Sequence, residues 1–164
     1  MTSADTGVDA SDAGVTDAET GADTGILPDA GACNTLVNGA PTIQETATSS
    51  AVPTRTGGVI ADGTYFMTAN IDYQTTSADK THTYTVKVSG KVMDLVGHDN
   101  ANSEIHAEFA ITNNSDTGAI SLIGTCPAAL VGQDLGSITS YTVIGAAWHL
   151  YSTAKNNEAV FTKQ

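Results

Sequence analysis

Residues 57–73 read GGVIADGTYFMTANIDY. Past the glycine-rich turn that ends at Gly63, Tyr65, Met67, Ala69, Ile71 and Tyr73 alternate with Thr64, Phe66, Thr68, Asn70 and Asp72. A sustained period of two puts alternate side chains on opposite faces of a β-strand. The tyrosine-led set is the more apolar, so it is expected to face a core.

The pattern repeats down the chain. His82, Tyr84, Val86 and Val88 alternate with Thr83, Thr85, Lys87 and Ser89. Residues 92–96 follow, with Met93 and Leu95 as the inner pair. Ile105, Ala107, Phe109 and Ile111 then alternate with Glu104, His106, Glu108 and Ala110. Further strands are expected over 119–125, 138–143, 147–152 and 159–163, with Trp148 and Leu150 on one side and His149 turned away toward solvent. Gly90-Lys91, residues 98–102, residues 113–118 and residues 153–158 are turn chemistry. Residues 128–137, AALVGQDLGS, suit either a short helical turn or a lid loop.

Strands this closely spaced leave no room for crossover helices, so neighbours should be antiparallel. The expected fold is all-β, an up-and-down barrel of about eight strands, because closure removes exposed edges. A two-sheet sandwich is the alternative.

Residues 1–32 differ in kind. They carry seven acids and no Lys or Arg, with Asp-Thr-Gly and Asp-Ala-Gly recurring. Such a segment cannot bury enough apolar surface to offset its ordering entropy, so a disordered linker is expected. Asp17-Ala-Glu19-Thr-Gly21 approaches a calcium loop but has no acid at the fifth position. Residues 33–164 form the barrel domain, with 33–56 as a segment that wraps the body; Pro41 and Pro53 flank one short extended stretch near Ile43.

The formal charge is −12, yet eleven acids and six bases leave residues 33–164 at only −5. A chain so poor in Lys and Arg lacks the footprint for nucleic acid or for docking on anionic lipid. No apolar run is long enough for a membrane helix. The start, MTSADTGVDA, has neither the basic nor the apolar part of a signal peptide. Charged residues are 15% of the chain, and Thr, Ala, Gly and Ser take their place, which suits an exported β-protein. The two cysteines, Cys33 and Cys126, are an even count, as expected for one disulfide in such a protein. Two free buried thiols are the alternative. Neither cysteine has a second Cys or a His at zinc-ligand spacing.

The tail running into Cys33-Asn-Thr-Leu-Val-Asn38 resembles the spacer of surface lipoproteins from myxobacteria and related bacteria. That resemblance implies export, and membrane contact only through a lipid anchor and acylated cysteine ahead of Met1. Residues 145–164, GAAWHLYSTAKNNEAVFTKQ, resemble the last hairpin of small bacterial lipocalin-like barrels, and Ile120 to Pro127 resembles their cysteine-terminated middle strand. Gly63-Thr64-Tyr65 stands where lipocalins have Gly-X-Trp. The resemblance implies a barrel whose mouth or lumen takes a small apolar or mixed ligand.

Aromatic rings with a polar handle suit a pocket as well as a core. The candidate ligand-binding residues are Tyr65, Tyr73, Tyr84 and Trp148, with His82 at the rim. Glu104, His106 and Glu108 share one strand face and are the metal candidate, since imidazole with carboxylate suits zinc. A solvated outer face is the alternative. No nucleophile elbow, phosphate-cradling loop or His-Glu-X-X-His motif occurs, and none points to a cofactor. The expectation is a non-enzymatic binding module. A surface interaction module with a filled core is the second reading, and an enzyme the third.

Overall fold

The computed structural model describes residues 33–76 and 78–164. The linker expected over 1–32 lies outside the described residues. In chain order the strands are β1 (Ile43–Gln44), β2 (Thr46–Thr48), β3 (Gly63–Tyr73), β4 (Thr81–Ser89), β5 (Val92–Asp99), β6 (Ile105–Asn113), β7 (Ile120–Cys126), β8 (Ile138–Ile144), β9 (Ala147–Ser152) and β10 (Asn157–Lys163). Residues 128–137 hold one 3₁₀ turn, Ala128–Leu130, followed by loop.

The eight long strands form one antiparallel up-and-down sheet in the order β7-β6-β5-β4-β3-β10-β9-β8. First and last long strands, β3 and β10, are neighbours, so the sheet curls through about 250° as a barrel wall. Its seam falls between β7 and β8, where among the described residues one bridge, Ala119 with Ser140, spans directly. Connecting segments fill the rest. Leu135 N donates to Leu122 O at 2.9 Å, and Gly124 N to Gln133 O at 2.8 Å, so residues 132–135 run along the free edge of β7. On the β8 side, Gly57 N donates to Tyr141 O at 3.1 Å and Val143 N to Gly57 O at 2.8 Å. Gly57 has φ of +71°, and a Cβ there would lie 2.2 Å from Ser115 O, so this patch of the seam requires glycine. Two raw edges are thereby satisfied without a continuous ladder.

The core is the inner face of the barrel. It contains Tyr65, Met67, Val86, Val88, Met93, Phe109, Ile111, Leu122, Tyr141, Trp148, Leu150 and Phe161. Val86, Leu95, Ala107 and Phe109 share this side because Val86 pairs with Leu95, Leu95 with Ala107, and Met93 with Phe109. The inward sets expected for β4, β5, β6 and β9 face the core.

β3 departs from its expected alternation. Val160 of β10 pairs with Ala69 and Phe161 pairs with Met67, leaving Thr68 as an extra residue. A β-bulge of this kind shifts the alternation by one. Tyr65 and Met67 face inward as expected, but beyond Thr68 the inward residues are Asn70 and Asp72. Ala69, Ile71 and Tyr73 turn outward.

β5 also runs further than its apolar residues predict. Gly97, His98 and Asp99 continue the ladder against Tyr84, Thr83 and His82. Backbone pairing extends the strand through residues that read as turn.

Residues 33–48 wrap the outside and then enter the wall. Asn34 Nδ2 donates to Ala107 O at 2.9 Å, and Asn38 Nδ2 to Thr83 O at 3.1 Å. Gly39 N and Ala40 N both donate to Thr85 Oγ1. This strap buries Thr83 and Thr85 although they lie on the outer face. β3 and β4 pair only over Gly63–Phe66 with Thr85–Val88. Where they diverge, β1 pairs with β4 and β2 pairs parallel with β3. Ile43 is opposite His82 and Ala47 opposite Asp72, so Ile43, Glu45 and Ala47 point inward.

Cys33 and Cys126 form a disulfide with a Cα–Cα distance of 5.5 Å and a sequence separation of 93. It fastens the start of the strap to the end of β7. A loop of that size constrains the unfolded chain by about 4–5 kcal/mol in the chain-entropy account. Cys126→Ser should therefore lower the thermal midpoint by roughly 10 °C, and reduction of the wild-type chain should do the same. A midpoint that ignores reductant would remove the strap's covalent role.

Candidate functional site

The barrel interior is divided by polarity. Its apolar part is a cavity of about 310 Å³ lined by Met67, Tyr84, Met93, Leu122, Leu150 and Phe161, among others. At the mouth it reaches Ile105, Leu130, Leu135 and Ile138. Ile105 is 48% exposed although it begins an inward-facing set, because it stands on the rim. Gly97, opposite Tyr84, makes room for this arrangement: a Cβ at Gly97 would lie 2.3 Å from the Tyr84 ring.

A polar basin of about 510 Å³ adjoins it, lined by Glu45, Asn70, Asp72, Lys80, His82, Asp99, Lys155 and Asn157. Met67 and Tyr84 border both spaces. The basin is assembled by the three irregularities of the fold. The Thr68 bulge turns Asn70 and Asp72 inward, the strap inserts Glu45, and the extension of β5 sets Asp99 opposite His82.

Its hydrogen bonds run in one direction. A carboxylate only accepts, so Asn157 Nδ2 is the donor to Asp72 Oδ1 at 2.6 Å. The same Nδ2 donates to Asn70 Oδ1. Asn70 must then present Nδ2 to His82 Nε2, at 2.9 Å. Nε2 is an acceptor, so the ring proton sits on Nδ1 and is donated to Asp99 Oδ1 at 2.7 Å. This assigns His82 the neutral Nδ1–H tautomer. Glu45, with its side chain only 4% exposed, has His82 Nε2 at 3.7 Å, beyond hydrogen-bond reach.

Of the five predicted ligand-binding residues, His82 borders the polar basin and Tyr84 borders both spaces. Tyr65 and Trp148 border neither. They meet edge to face at 6.2 Å, and Trp148 lies 6.3 Å from Phe161. With Ile60 they line a void of about 50 Å³ at the other end of the barrel, and Tyr65 Oη donates to Ala61 O at 2.5 Å. They form the floor. Tyr73 is the larger correction. The bulge turns it outward, where its hydroxyl donates to Glu158. Glu158 is buried on that outer face and also binds His149 Nδ1 at 2.5 Å, with the Arg55 guanidinium over the Tyr151 ring at 5.2 Å. His149 is thus partly buried and paired, contrary to the expectation of a solvated ring.

The metal candidates do not converge. His106 Nε2 is 3.3 Å from Glu104, but its Nδ1 lies 3.1 Å from Asn34 of the strap. Glu108 accepts from Thr125 Oγ1 at 2.6 Å and sits beside Asp94. Burial raises the Asp94 carboxyl, and the charge of Glu108 adds to that. Among the described residues no three His, Cys, Asp or Glu side chains form a metal-holding group. Glu45, Asn70 and Asp72 went unrecognised in the sequence, and Asp99 was read as part of a turn near the metal candidates rather than as a partner of His82. The inward turn of the first three depends on the bulge and on strap insertion, neither of which has a periodic signature.

Four tyrosines are held in the phenol form. Burial is the main cause at Tyr65, Tyr73, Tyr84 and Tyr151, with Glu158 contributing at Tyr73 and Tyr151 and Asp99 at Tyr84. Tyr151 is pushed up to about 12. The folded chain therefore keeps protons that the unfolded chain releases near pH 10, and stability falls as pH rises from there through the raised folded values. Below about pH 10 both states are protonated and these groups leave stability level. Urea midpoints taken from about pH 9 to about pH 12 should stay flat and then drop. Full phenolate absorbance from the folded chain at about pH 10.5 would contradict this.

No family model, curated protein or solved structure matches the chain.

Proposed function

We propose that this chain is a non-enzymatic binding module that holds one small ligand of mixed polarity in the mouth of its barrel. The observation that carries the reading is the pair of adjacent spaces, an apolar lumen of about 310 Å³ and a polar basin of about 510 Å³, with Met67 and Tyr84 in the walls of both. Natural ligand pockets fall in this size range and combine an apolar lining with a few placed polar groups. An eight-stranded barrel has just enough interior either to be filled by side chains or to hold one small molecule. Here the floor is filled and the mouth is hollow, which favours the ligand over an interaction module with a solid core.

Placement outside the cytoplasm goes with this function. The Cys33–Cys126 disulfide belongs to an oxidising compartment, and an acidic spacer ahead of Cys33 suits display at a cell surface. Among the described residues no helix is long and apolar enough to cross a membrane.

The test is a fluorescence titration with Nile red, an uncharged apolar dye. Binding should be saturable, with one site per chain. Ala159 lines the lumen, so Ala159→Phe should fill it and weaken binding at least about tenfold. Ile105→Asn, on the exposed rim, should weaken it by a smaller factor without altering the thermal midpoint. Unchanged titrations in both variants would place the dye elsewhere and end the reading.

A further inference from the structure

Three acids and two lysines face the basin, and they are not equivalent. Asp72 receives a hydrogen bond from Asn157, and Asp99 receives one from His82. Lys80 and Lys155 are exposed at the rim, and neither forms an ion pair among the described residues. Glu45 is different. Its side chain is 96% buried, it borders the cavity, and its carboxylate accepts no hydrogen bond among the described residues.

The obvious partner for Glu45 is His82, and the hydrogen-bond chain rules it out as a cation. Asp72 fixes Asn157, Asn157 fixes Asn70, and Asn70 leaves His82 Nε2 as an acceptor. Two acceptor groups, Glu45 Oε1 and His82 Nε2, thus face each other at 3.7 Å without a proton between them. A buried carboxylate with neither a cation nor a donor is costly. The cavity beside it is where the missing donor would sit.

We propose that the ligand is an amphiphilic amine whose cationic nitrogen enters the basin against Glu45, while its apolar body occupies the lumen. A protonated primary amine carries three donors. One meets Glu45, and the others fall among Asp72 and Asp99, which share the cavity. The resulting charge-assisted hydrogen bonds are stronger than neutral ones and form out of bulk water. Tyr84, held in its phenol form beside Asp99, adds no competing negative charge. At about 30 Å³ per water-sized group, the lumen takes an apolar chain of roughly ten carbons. The rim lysines repel a second cation and leave one amine per barrel.

This inference rests on the lumen reading, and one experiment separates the two. n-Decylamine, n-decanol and sodium decanoate are each used to displace Nile red from the wild-type chain at neutral pH and moderate salt. The amine should displace the dye at a concentration at least about tenfold below that of the alcohol, with decanoate the weakest. Glu45→Gln should remove the advantage of the amine over the alcohol. An alcohol that competes as well as the amine overturns the head-group assignment and leaves the lumen standing. Decanoate as the best competitor does the same, and so does an amine preference that survives in Glu45→Gln. Failure of all three to displace the dye removes both readings. The wild-type series decides the matter even if Glu45→Gln does not fold.

Discussion

Thr68 has no backbone register partner on β10, although its hydroxyl bonds Thr162 Oγ1 there, and the side-chain sequence inside the barrel hangs on that extra residue. Before it, β3 supplies Tyr65 and Met67 to the core. After it, the same strand supplies Asn70 and Asp72. A strand without the bulge would point Ile71 and Tyr73 inward, and the mouth would be lined by apolar and aromatic groups. The bulge changes the chemistry of one end of the barrel at a backbone cost confined to a single unpaired residue.

The strap answers the same geometry. β3 and β4 separate beyond Phe66, and an open wedge in a β-wall leaves amide groups unpaired. β1 and β2 fill that wedge and carry Glu45 with them. The disulfide holds the far end of this strap against β7, whose continuation, residues 127–137, covers the seam and contributes Leu130 and Leu135 to the lumen. Wrapping segment, seam loop and cavity are therefore one mechanical unit. Loss of the disulfide would be felt at the mouth before it was felt at the Tyr65–Trp148 floor.

The division of the interior has a plain energetic basis. The floor end is packed by large rings around a void of only about 50 Å³, which concentrates the apolar contribution to stability there. The mouth end stacks polar groups that satisfy one another in sequence, Asn157 to Asn70 to His82 to Asp99, and leaves Glu45 outside the chain of bonds. A polar network that is complete except for one acceptor is what a ligand can finish. On the outer face Glu158 shows the contrasting case: Tyr73 and His149 supply its donors, so it is structural rather than receptive.

The sequence alone determined the strands. Period-two stripes such as Tyr84-Val86-Val88 and Ala107-Phe109-Ile111 can bury only one face, and their short polar connections allow only antiparallel neighbours. It also paired Cys33 with Cys126 as the two cysteines of these 164 residues. His82 and Tyr84 were legible as inward-facing residues because they lie on an unbroken stripe. Glu45, Asn70 and Asp72 were not, and Asp99 was legible only as a turn residue. Their positions depend on a one-residue slip, an inserted strap and a ladder extended by backbone pairing. Those outcomes are settled between strands distant in sequence, where hydrogen bonds are chosen by register and not by the local alternation of side chains.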